Sequence, residues 1–113
     1  IRDNQEFEKH IAIAKLTDKS VMVFFTASWC ESCKQIKHIF AKESLETILS
    51  RFILLEVVIT DEQGIAFAKH FNVLAPPAIL FFNKAGERLE IEMPAIINQD
   101  NIELMLNKAL SFN

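Results

Sequence analysis

Apolar positions along the chain change spacing several times, and each change marks an element. Phe7, Ile11 and Ala14 recur at helical intervals behind Asp3-Asn4-Gln5-Glu6, a helix start with Asp3 as N-cap and Glu6 at the capping-box position. This helix is expected to fade near Leu16. Val21 to Phe25 is an unbroken run of β-formers, as in a strand buried on both faces. After Trp29 the period turns helical: Ile36, Ile39 and Phe40 share one face, while Lys34, Lys37 and His38 fall on the other. A helix is therefore predicted from around Cys30, with Ser44 placed to cap a short second turn reaching Arg51.

Phe52 to Ile59 predicts a second strand, interrupted only by Glu56. Asp61 reads as the cap of a helix with Gly64, Phe67, Ala68 and Phe71 inward. Ala78 to Phe82 is a third buried strand, followed by a turn at Asn83-Lys84-Ala85-Gly86. Arg88 to Glu92 alternates polar and apolar, as a half-exposed edge strand does. The last helix is expected over Gln99 to Leu110, with Ile102, Met105, Leu106 and Ala109 inward. The order α-β-α-β-α-β-β-α predicts an α/β fold, a three-layer α/β/α sandwich around a central mixed sheet. Its strands pair in parallel through crossovers and it ends in an antiparallel hairpin plus helix.

Composition narrows the function more than the fold. The 113 residues read as a single domain, residues 1–113, expected to be monomeric in isolation. A net charge of −3 and a pI near 5.6 argue against nucleic acid as partner. No apolar run approaches the roughly 18 residues that cross a bilayer, and no signal peptide is visible. The chain opens on Ile1 rather than Met, which reads as a domain processed or excised from a longer chain, so the missing leader is silent on compartment.

The candidate chemistry lies in Trp29-Cys30-Glu31-Ser32-Cys33-Lys34. Only a thiolate attacks a disulfide, and an unperturbed thiol has a pKa of about 8.5. Cys30 in a first helical turn would face unsatisfied backbone N–H groups and the positive end of the helix dipole. Lys34 and Lys37 would add positive charge, Glu31 would oppose it weakly, and Ser32 completes the spacer. Two intervening residues bring the second sulfur within bonding distance, so Cys30 attacks and the more buried Cys33 resolves the mixed disulfide. Trp29 shields the pair. A later proline pair, Ala75-Pro76-Pro77-Ala78, stands before a buried strand, where proline fits only as the opening residue. A cis Pro77 would present the Pro76 backbone to an incoming extended chain.

Other readings of the cysteines are weaker. A structural zinc site takes four ligands, and only His10, His38 and His70 could complete one, with no second CxxC or HxxxH. No metal or bound cofactor is therefore expected beyond the Cys30–Cys33 pair itself. A purely structural disulfide closing so short a loop gains little. A redox-inactive or zinc-binding interaction module of the same fold is the alternative of another class.

Ala27-Ser28-Trp29-Cys30-x-x-Cys33-Lys34 followed by Pro77 resembles the thioredoxin superfamily. Val21-Met22-Val23, Phe40 and Asn72-Val73-Leu74-x-x-Pro77-x-Ile79-Leu80-Phe81-Phe82 are most similar to the C-terminal periplasmic domain of DsbD-type transmembrane thiol–disulfide interchange reductases. That resemblance implies a protein-disulfide reductase or electron relay on the periplasmic side of a bacterial inner membrane. It would take electrons from a membrane-embedded donor domain and pass them to a periplasmic acceptor domain. Cys30 would attack, Cys33 resolve, and Pro77 be the substrate-facing cis-proline. The runner-up is a free-standing cytoplasmic thioredoxin served by a nicotinamide-dependent reductase. Such domains open with a short strand, for which only Ile1 and Arg2 are available.

The chain also departs from the family. Phe24 stands where a buried aspartate is usual, Lys37 where the DsbD domain has a glutamate, and Ala78 where threonine is common, while Pro76 is an unusual neighbour for the cis-proline. The usual proton acceptor for Cys33 is therefore missing. Two readings stand for Glu56: a buried carboxylate that takes over the proton-acceptor role from the adjacent strand, or a solvated strand position. Trp29, Pro76 and Met93-Pro94-Ala95 are the expected apolar docking rim.

Overall fold

The computed structural model describes residues 3–113; Ile1 and Arg2, where the sequence leaves room for an opening strand, lie outside them. The chain runs α1 (Asn4–Thr17), β1 (Ser20–Thr26), α2 (Glu31–Phe40), a 3₁₀ turn (Glu43–Leu45), α3 (Glu46–Leu49), β2 (Phe52–Val58), α4 (Glu62–His70), β3 (Ala78–Phe82), β4 (Arg88–Leu89) and α5 (Gln99–Leu110). N-cap chemistry explains several starts. Asp3, Asp61 and Asn98 each accept a backbone N–H three residues on at 2.8 Å. Ser44 does not cap: it lies inside the 3₁₀ turn, and its Oγ accepts from the Gln99 side chain at 2.9 Å.

Among the described residues the sheet is four-stranded and mixed, in the order β2-β1-β3-β4. Parallel pairing holds for β1 and β2, whereas β3 runs antiparallel to β1. The connection through α4 therefore returns the chain to the end of the sheet at which β2 left it. Ala78, the first residue of β3, lies opposite Phe25 near the end of β1. This brings Pro76–Pro77 to the same end as the cysteine motif.

Alternation along the strands divides the core between two layers. Met22, Phe24, Ile79 and Phe81 pack on one face with α2 and α5. Val21, Val23, Phe25 and Phe82 pack on the other with α1 and α4. Phe7, Phe67, Phe71 and Phe82 form an aromatic group there, edge-to-face except for the tilted Phe7–Phe82 pair, with ring centroids 5.1–6.0 Å apart. The expected edge strand over Arg88 to Glu92 is shorter than its pattern: only Arg88 and Leu89 join the ladder. Leu89 and Ile91 still pack against the first layer, so the alternation reports burial rather than hydrogen bonding. In the turn before β4, Gly86 takes φ +84°, and Asn83 Oδ1 accepts the Ala85 and Glu87 amides.

Candidate active site: a Cys30–Cys33 pair at the start of α2

All of β1 is buried, and the chain leaves it through Ala27 into a tight turn closed by the Cys30 N–H on the Ala27 carbonyl, 3.1 Å. Cys30 is the N-cap of α2, and its Sγ accepts the Cys33 backbone N–H at 3.1 Å. The sulfur thus occupies the place that a serine or aspartate oxygen takes in other helices. Any negative charge developing on it meets a fixed donor and the helix N-terminus. Cys30 and Cys33 form a disulfide with their Cα atoms 5.3 Å apart. Cys30 is 5 % exposed and Cys33 1 %, so Cys33 is the deeper sulfur, set in an apolar cluster with Phe24 and Ile36.

The charged residues around the motif pair with one another. Lys34 binds Glu31 at 3.0 Å in solvent, and Lys37 binds Glu56 at 3.1 Å. Both lysines proposed to tune the thiol are thereby directed at carboxylates, leaving the backbone N–H as the donor on Sγ. Ser32 is half-buried between the cysteines.

Glu56 is a correction to the buried-carboxylate reading: its side chain is 46 % exposed. The reason is topological. Among the described residues β2 is an outer strand, and on the face shared with α2 only Phe52 is covered, while Leu54, Glu56 and Val58 reach solvent. Glu56 lies directly beside Phe24 in the parallel register.

The Pro76–Pro77 bond is cis. Pro76 and Trp29 line a cleft of about 310 Å³ together with Ile65, Val73 and Leu74. Leu74 is 96 % exposed and Trp29 66 %. Ile65, Lys69 and Leu74 are absent from the sequence-derived site. Leu74 sits in an aperiodic loop where nothing in spacing marks a surface role, and only the fold brings it to Trp29. Met93 packs against the cluster that holds both cysteines, and Ala95 is exposed two residues on. Among the described residues no group of three or more His, Cys, Asp or Glu side chains converges as a metal site would require, and no helix is long and apolar enough to cross a membrane.

Comparison with known proteins agrees with this geometry. The chain is 34 % identical over 92 residues to the thiol:disulfide interchange protein DsbD of Pseudoalteromonas atlantica, covering 79 % of this chain and 16 % of that protein. It is 40 % identical over 90 residues to DsbD of Vibrio cholerae, covering 77 % and 15 %. The chain therefore spans about one sixth of the length of these curated relatives. Among solved structures, the reduced C-terminal domain of Neisseria meningitidis DsbD superposes with a TM-score of 0.73 at 20 % identity, covering 96 % of this chain and 97 % of that one. A thioredoxin from Thermus thermophilus gives 0.74 at 22 % identity, covering 90 % and 82 %. The family model for the thioredoxin-like domain matches residues 7–110, from α1 to the end of α5, and the chain belongs to that family.

Proposed function

We propose that the chain is a thiol–disulfide exchange domain acting as a reductant or electron relay within a DsbD-like membrane reductase. It works on the periplasmic side of a bacterial inner membrane, between a membrane-embedded donor and a periplasmic acceptor. The observation that carries the reading is the asymmetric sulfur pair at the head of α2. Cys30 has a backbone donor on its sulfur, and Cys33 lies beneath it.

In the reducing direction the Cys30 thiolate attacks one sulfur of a partner disulfide, forming a mixed disulfide and releasing the partner's other sulfur as a thiolate. Cys33 then loses its proton and attacks Cys30 Sγ. The Cys30–partner bond breaks, the intramolecular disulfide forms, and the partner leaves with both thiols reduced. The cleft between Trp29 and Pro76 suits an extended polypeptide held beside the reacting sulfur. Glu31 between the cysteines, paired with Lys34, favours a relay over an oxidase whose thiolate is unusually stable.

The test is the reduction potential of the Cys30–Cys33 pair, followed by Trp29 fluorescence in dithiol buffers. A value more negative than about −200 mV is expected, whereas a value above about −150 mV would mark a disulfide-forming oxidase and overturn the reading.

A further inference from the structure

Resolution by Cys33 requires its proton to leave a sulfur that is 1 % exposed. Phe24, Ile36 and Ile79 pack in the apolar cluster around that sulfur, and among the described residues no Asp or Glu is buried. The proton must therefore travel to an acceptor outside the cluster. A cleft of about 200 Å³ opens beside α2 at the end of β1, and Ala27, which packs in the same cluster as both cysteines, forms part of its wall. The charged side chains lining it are Lys34 and Lys37 from α2 and Glu56 from β2, with the uncharged Thr26 at the end of β1, Ser28 in the turn beyond it and Val58 at the end of β2. Glu56 is its carboxylate. It stands beside Phe24, on the same face of the sheet as Cys33's neighbours. Lys37, one helical turn beyond Cys33, holds it at 3.1 Å. Both members of the pair are about half exposed, so solvent reaches the cleft.

We infer that Glu56, held over this cleft by Lys37, receives the Cys33 proton through cleft water during resolution of the mixed disulfide. This deepens the exchange reading proposed above and rests on it. The Cys33 S–H proton passes to water and on to the carboxylate. The resulting thiolate attacks Cys30 Sγ, the Cys30–partner bond breaks, and the partner sulfur departs as a thiolate. Glu56 then gives the proton to bulk solvent. A positioned general base typically contributes a hundredfold or more, and one that acts through water from outside the cluster is expected to contribute less. Lys37 is a positioning residue, since it acts through Glu56.

Reduced protein mixed with dithiobis-nitrobenzoate releases nitrothiobenzoate in two steps, first when Cys30 attacks and then when Cys33 resolves. In Glu56→Gln the second step is expected to slow about tenfold at neutral pH, with the first step changed less than about twofold. The deficit should shrink as pH rises, because hydroxide then replaces the missing carboxylate. Glu56→Asp should retain most of the rate. Lys37→Met should slow the second step less, and the double variant should be no slower than Glu56→Gln alone, since both act in one route. An unchanged second step in Glu56→Gln, or equal slowing of both steps at every pH, overturns the inference. If the native protein itself shows no second release, the exchange reading fails instead.

Discussion

Cys30 and Cys33 are three residues apart in sequence and differ in almost everything their sulfurs meet. Cys30 Sγ has the Cys33 amide as donor and stands at the mouth of the motif, whereas Cys33 is enclosed by apolar side chains. On the proposed exchange reading, attack from outside falls to Cys30. Replacing the deeper sulfur should stop the reaction halfway: Cys33→Ser is expected to accumulate a stable mixed disulfide with a protein partner, visible as a higher-mass band that collapses on adding dithiothreitol. Cys30→Ser should give no such adduct. An adduct formed equally by both variants would overturn the assignment. This part of the site was legible from the motif alone, because a two-residue spacer at a helix start dictates which sulfur caps the helix and which points inward. The environment of Glu56 was not. Its neighbours in sequence, Leu55 and Val57, are as buried as those of a central strand, and exposure follows from a sheet order that no local pattern encodes.

The elements show the same division between local and distant causes. Helix α4 starts where Asp61 predicts, since a cap depends only on residues three apart. Asp61→Ala should cost about 1 kcal/mol in a urea titration, the usual worth of a lost N-cap. Gly64 within the same helix behaves differently. Helix propensity alone favours alanine there by up to about 1 kcal/mol. A Cβ at Gly64, however, would fall on the Val58 carbonyl oxygen at the end of β2. Gly64→Ala is therefore expected to destabilise by about 1–3 kcal/mol, as overpacking does. A stabilised variant would mean that α4 can move away from β2. The strand pattern over Arg88 to Glu92 and the direction of β3 depart from expectation for a related reason: side-chain alternation and element order carry burial and connectivity, but not hydrogen-bond pairing or which end of the sheet a connection returns to.

Over the whole molecule, phenylalanine rings fill the two layers, with Phe24 and Phe81 in one and Phe7, Phe25 and Phe67 in the other. Leu16, Ile96 and Leu104 are also exposed, but Trp29 and Leu74 stand together on the wall of one cleft. It lies at the end of the sheet where β1 leads into Cys30 and β3 begins at Ala78. Leu74 contributes almost nothing to the core, so Leu74→Ser should shift unfolding by less than about 0.5 kcal/mol. If the cleft holds a partner polypeptide, the same change should slow reduction of a protein disulfide about fivefold, close to 1 kcal/mol of lost contact. The first release from a small aromatic disulfide, which needs only Cys30, should stay at the native rate. Parallel assays on the two substrates separate the outcomes. Equal rates on both would leave the cleft without a role in recognition, and equal losses on both would place the effect at the sulfurs rather than at the surface beside them.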